Sequence, residues 1–312
     1  MQKIWSRLKP YLRWIILGGT LFFLAIALKN NWQEVAAIRI TALGWTTLAI
    51  ALGVTLLAHI WSGWVWTWML YEFDRPVNIP QFVRVYLQTN IAKYLPGNVW
   101  HYYGRISAAK SAGIPTSIAA LSVLLEPLLM AAAAIAIVLV GIQVAIAQSY
   151  SYIQAILILV LAGVLLAIHP RWLNLVIRLL SRMKFKSAKS TAANISASDI
   201  FQIERYPWRP LLGELGFVGL RGTGFLLTVF ALIPIPIERI PLLFAAFSLA
   251  WVLGLIVPGA PGGLGVFEAT AIALLQHSFP MGAVISAIAL YRLISIIAET
   301  VGAGLSWLDE KV

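Results

Sequence analysis

The chain has 312 residues, 60% of them hydrophobic and only 11% charged, with a formal net charge of +11 and no cysteine. A soluble domain of this size carries about a quarter charged residues, so an ordinary soluble enzyme is excluded. The missing thiol excludes disulfides, thiolate metal sites and cysteine nucleophiles. The four histidines (His59, His101, His169, His277) lack zinc-ligand spacing, so neither a metal nor a cofactor is expected.

The first apolar run covers 14–28, behind Lys3, Arg7, Lys9 and Arg13. With no clean small-residue cleavage site and further spans after it, it reads as a retained helix rather than a removed leader. A second run covers 43–70 and exceeds the roughly 18 residues that mark a membrane helix. Its Trp61, Trp64 and Trp68 share one helical face and read as an interfacial aromatic belt. Residues 78–113 differ. They mix polar and apolar positions and break at Pro96-Gly97, and each arm is too short and polar to cross about 30 Å of hydrocarbon.

Spans follow at 117–147 and 152–168, then a basic amphipathic stretch, 171–186, that suits a helix lying in the membrane surface. A polar linker leads to a span at 211–232, the proline-fixed turn IPIPIE and a span at 241–257. Next comes IVPGAPGGLGVFEA, residues 256–269, with two prolines, four glycines and a carboxylate between apolar runs. A short arm at 265–278 and a last span at 281–307 complete the chain.

These elements predict an all-α polytopic membrane helix bundle of about seven to eight spans with two broken or re-entrant segments. It reads as one integral membrane domain, 1–312. The first half, 1–169, breaks near 94–105, and the second half, 210–312, breaks near 257–269. Between them lies a basic loop, 170–209. Both halves offer two spans, a Pro-Gly-broken segment and a further span, an echo that suggests an internal repeat with a site between the halves.

Basic residues concentrate in short cytoplasmic loops. The charge therefore reads as topological and lipid-directed, with no nucleic-acid partner, and places the N-terminus and loop 170–209 in the cytoplasm. A multi-pass protein of the plasma or inner membrane is expected. The side of the C-terminus depends on whether 265–278 spans or re-enters. The oligomeric state stays open.

Ionisable residues lie within or beside the apolar runs: Arg105, Glu126, Glu214, Arg221, Glu268, Arg292 and Glu299. Each costs about 2.5–3.5 kcal/mol at the centre of a lipid-facing helix, so they are expected to face a polar interior. Arg292 and Glu299 are seven apart on one face, as are Glu214 and Arg221. Glu126, Glu214, Arg221 and Glu299 suit charge pairing or a proton relay. For Glu214 and Arg221 a purely packing role fits equally well. His59 reads as an interhelical hydrogen-bond partner.

Freed N–H groups at a broken helix carry partial positive charge, and glycines let a ligand approach the backbone. The helix start after PGGLG therefore suits a phosphate, although no Gly-Lys-Ser/Thr loop is present. The expected headgroup set is Lys93, Pro96, Gly97, Asn98, His101 and Arg105 from the first break. The second break adds Gly262, Gly263, Gly265 and Glu268, and the last span adds Tyr291 and Arg292.

Four stretches carry a resemblance: NIAKYLPGNVWHYYGRISAAKSAGI at 90–114, SIAALSVLLEPLL at 117–129, VPGAPGGLGVFEATAIALL at 257–275 and YRLISIIAETVGAGL at 291–305. They resemble the membrane region of lysylphosphatidylglycerol synthases, found also in stand-alone flippase-like proteins. The family's PGG-GxxE element falls on Pro261, Gly262, Gly263, Gly265 and Glu268. Its Leu-Pro-Gly and downstream arginine fall on Leu95, Pro96, Gly97 and Arg105, and its tyrosine–arginine falls on Tyr291 and Arg292. One departure stands out. Glu126 is followed by Pro127 where the family often has arginine, so a basic partner must come from elsewhere.

The resemblance implies lipid handling without the soluble domain that makes the lipid. Translocation of an anionic or phosphate-headed membrane lipid is expected, with no catalytic residue. The alternatives are a scaffold for a lipid-synthesis or glycosyltransferase partner, and an enzyme acting on a lipid headgroup.

Overall fold

The structure is a computed structural model and describes residues 26, 28–94, 99–145, 151–172, 174–175, 205–257 and 260–309. The expected first helix, surface helix and polar linker fall wholly or largely outside the described residues, as do Pro96, Gly97 and Asn98.

A short helix α1 (Trp32–Ala37) leads to α2 (Ala42–Glu72), α3 (Ile79–Asn90), a 3-10 turn (Ile91–Tyr94), α4 (Trp100–Ser111), α5 (Thr116–Ala145) and α6 (Ser151–Ala167). The second half holds α7 (Trp208–Phe230), α8 (Ile240–Ile256), a 3-10 turn (Pro261–Gly263), α9 (Val266–Leu275) and α10 (Met281–Asp309). Among the described residues there is no strand, and five helices are long and apolar enough to cross a membrane: α2, α5, α7, α8 and α10. The protein is an all-α polytopic membrane helix bundle.

Length and capping explain the elements. The 31 residues of α2 rise about 46 Å at about 1.5 Å each, so α2 outreaches the hydrocarbon and must tilt or protrude. Its start is fixed by the Thr41 hydroxyl, which accepts from Gly44 N at 3.1 Å. Asn78 does the same for α3, accepting from Gln81 N at 3.0 Å, with Pro80 in the first turn. The ten residues of α9 reach about 15 Å, half the hydrocarbon thickness, so this arm does not cross alone.

Apolar side chains gather into two main cores. In the first half Val65, Trp66, Phe82, Ala109 and Leu125 join α2, α3, α4 and α5. In the second, Phe225, Phe247, Phe267 and Tyr291 come from α7, α8, α9 and α10. Every pair of these four rings has centroids within 6.2 Å. Such pairs contribute about 0.5–1.5 kcal/mol each beyond their buried area, which makes the cluster a rigid backing for the second break.

The Trp61, Trp64 and Trp68 rings do share a face, with centroids 5.6 Å apart. Trp61 also donates its indole N–H to Gly213 O at 2.8 Å, so this face docks on α7 as well as facing outward.

Small residues set the closest helix approaches. On α5, a Cβ at Gly141 would stand 2.6 Å from the Pro241 carbonyl oxygen and 2.7 Å from Ala245 Cβ. On α6, Gly163 has nothing within 4 Å. Gly141→Leu is expected to force α5 and α8 apart and to destabilise by about 1–3 kcal/mol, read as a lower melting temperature in detergent. Gly163→Leu is expected to leave the melting temperature unchanged.

Candidate functional site

The two breaks meet. Helix α3 turns Tyr86 and Asn90 inward, its 3-10 turn delivers Lys93 and Tyr94, and α4 presents His101 and Arg105 four residues apart on one face. In the second half Gly262, Gly263 and Gly265 have φ of 59°, 72° and 86°, the left-handed region that side chains disfavour. A Cβ on Gly262 would stand 2.6 Å from the Tyr94 ring. The aromatic ring of one break therefore lies directly on the bare backbone of the other.

Between them lies a cavity of about 110 Å³, lined from both halves by Lys93, His101, Arg105, Arg221, Gly262 and Arg292 among others. A water needs roughly 10–15 Å³ on the same scale, so several waters or a small polar group fit.

Three ion pairs surround the cavity. Arg105 donates from Nη1 to Glu126 Oε2 at 2.5 Å, and Tyr86 donates its hydroxyl to Glu126 Oε1 at 2.7 Å. With the Tyr86 proton so engaged, Ser62 supplies the hydrogen for its 2.7 Å contact to the Tyr86 oxygen. The guanidinium also stacks 3.6 Å from the Tyr86 ring centroid. Arg105 thus provides the partner that Pro127, next to Glu126, cannot.

The second pair is Lys93 to Glu299, with Nζ donating at 2.6 Å. His59 Nε2 lies 3.2 Å from the same carboxylate oxygen and 3.0 Å from Arg221 Nη1. Asn90 reaches the other ring nitrogen at 3.4 Å. His59 is therefore the interhelical partner that its place in an apolar run implied. The third pair is Arg292 with Glu268. Arg292 also donates to Gly262 O at 3.0 Å and Gly263 O at 2.9 Å, while Glu268 Oε2 accepts from Gly265 N at 2.5 Å. The oxygen at the start of α9, the position that suits a ligand phosphate, belongs to Glu268.

The remaining expected residues are placed as follows. Tyr291 is buried, lines the cavity and donates its hydroxyl to Arg221 O at 3.1 Å. Glu214 is fully buried behind the cavity wall, and among the described residues neither of its oxygens has a hydrogen-bond partner. It does not pair with Arg221. Burial, and after it the charges of Arg105 and Lys93, push the His101 imidazole down to about 3, so the ring is neutral at physiological pH. Tyr86, Asn90, Tyr94 and Ser62 join the site without a motif to mark them; the sequence offers only the four-residue spacing of Tyr86 and Asn90 on α3.

The Arg292 fork is what holds the glycine loop. Lysine keeps the charge but cannot serve a carboxylate and two carbonyls at once. Arg292→Lys is expected to speed amide exchange at 262–265 about tenfold, as loss of one or two such hydrogen bonds implies. Hydrogen-exchange mass spectrometry on detergent-solubilised protein measures it, and unchanged exchange would refute the pinning role.

Comparison with curated proteins gave no match. A model of the lysylphosphatidylglycerol synthase TM region does match, over residues 13–302. With the paired breaks, their buried ion pairs and this match across nearly the whole chain, the protein belongs to the lysylphosphatidylglycerol synthase transmembrane-region family.

Proposed function

We propose that the protein translocates an anionic or phosphate-headed lipid between leaflets, the headgroup passing through the cavity while its tail stays in the bilayer. The observation that carries this reading is a cavity, walled by both backbone breaks, with four cationic side chains in its lining: Lys93, Arg105, Arg221 and Arg292. A soluble-protein explanation of such charge is closed off by the apolar helices around it.

The pairs give the movement a physical route. A lone guanidinium or carboxylate at membrane depth is costly, so the empty site keeps Glu126, Glu268 and Glu299 against their cations. An arriving phosphate exchanges one oxyanion for another, so desolvation has largely been met before the lipid enters. No Gly-Lys-Ser/Thr loop exists in the chain. On this reading the driving force is a gradient, product removal or equilibration. Lipid-supplying or glycosyl-transferring enzymes are the natural partners. The basic charge of 170–209 orients that loop and the N-terminus to the cytoplasm of a cell membrane.

Reconstitution into vesicles holding a fluorescent phosphatidylglycerol tests the proposal through quenching by a membrane-impermeant reductant. Wild-type protein is expected to expose the inner-leaflet probe. Glu268→Gln and Arg292→Ala are expected to slow that phase at least about tenfold, in line with loss of a charge-assisted contact, while remaining helical and monodisperse. Wild-type rates in both variants would end the assignment.

A further inference from the structure

The four cations of the cavity are not equivalent. Lys93, Arg105 and Arg292 each hold a carboxylate. Arg221 does not: among the described residues no carboxylate oxygen lies within 4 Å of it. Its side chain is buried, lines the cavity, and leaves Nε without a hydrogen-bond partner among the described residues. Glu214, two turns away on the same helix, has Glu126 and Arg105 as its charged neighbours instead. A buried guanidinium without a carboxylate in contact is costly to desolvate.

What holds Arg221 gives its head no direct carboxylate contact: Glu299 reaches it only across His59 and is itself in contact with Lys93. Nη1 meets the His59 Nε2 at 3.0 Å, a neutral acceptor. The guanidinium carbon sits 5.3 Å from the Tyr291 ring centroid, and Tyr291 fixes the Arg221 carbonyl, not its head. The same His59 nitrogen lies 3.2 Å from Glu299 Oε1. One nitrogen cannot accept from Arg221 and donate to Glu299 together. An oxyanion that took Arg221 would free Nε2 of His59, which can then carry the ring proton, shifted from Nδ1, and donate it to Glu299.

We infer that Arg221 is the cation that receives the phosphate oxyanion, ahead of the three already paired with carboxylates. This rests on the translocation reading and adds its specificity: a guanidinium with no carboxylate in direct contact matches a phosphodiester bearing one negative charge, gripped by a two-pronged contact. The same chemistry is offered by a lipid headgroup and by free phosphate.

Native mass spectrometry of the protein from mixed micelles distinguishes these, counting adducts of phosphatidylglycerol, phosphatidylcholine and inorganic phosphate. Wild-type protein is expected to retain phosphatidylglycerol over phosphatidylcholine. Arg221→Gln, which can still donate to His59, is expected to reduce that preference about tenfold or more, with an unchanged melting temperature. Should that variant not purify, Arg221→Lys carries the test and is expected to fall between the two. Arg221-dependent phosphate adducts in phosphatidylcholine micelles would support the residue with free phosphate as its source. An undiminished preference in a folded Arg221 variant, or no anion retention by wild type, overturns the inference. Vesicle scrambling that persists alongside that failure leaves the translocation reading standing.

Discussion

An ion placed in hydrocarbon must bring its counter-ion with it, and this condition shapes the interior of the protein. Arg105 and Glu126 are both almost wholly buried, as are Glu268 and Glu299 with their cations alongside. Removing one member of such a pair costs about 3–5 kcal/mol because the other is left unanswered. The ion pairs therefore add a constraint on helix register to the packing of the two cores. The glycine loop illustrates the dependence. Its backbone conformation is one that glycine tolerates, but its position is set by Arg292, which gathers two of its carbonyls and Glu268 into one planar fork.

The fold was largely legible because hydropathy at membrane depth is a strong signal. The runs at 43–70, 211–232 and 281–307 correspond to Ala42–Glu72, Trp208–Phe230 and Met281–Asp309, within three residues at each end. The Pro-Gly and PGGLG breaks were visible for the same reason, since they interrupt such runs. The short arm was ambiguous by composition alone, and its ten-residue length resolves what it can reach.

The site was legible as an inventory but not as a pairing. Spacing put Arg292 and Glu299 on one face, free to reach across the bundle, and each finds its partner on another element, Glu268 and Lys93. Likewise Glu214 and Arg221 share a face and ignore one another. Face-sharing on a helix says where a side chain points; the partner comes from another helix, and single-sequence periodicity carries no information about which one. Tyr86 escaped notice because a tyrosine in a mixed helix looks like ordinary packing until a carboxylate from α5 arrives at its hydroxyl.

The Tyr94 ring resting on Gly262 carries a further consequence. An aromatic plate against naked main chain forms a seam without interlocking teeth, unlike the knobs and hollows of the flanking cores. Around it stand ion pairs, which can be handed from one partner to the next, rather than methyl groups that must be torn from their sockets. That smoothness is local to the lip of the cavity: elsewhere the halves interlock, as where Gly141 of α5 meets Pro241 and Ala245 of α8, so the mouth can shift while the frame around it stays locked.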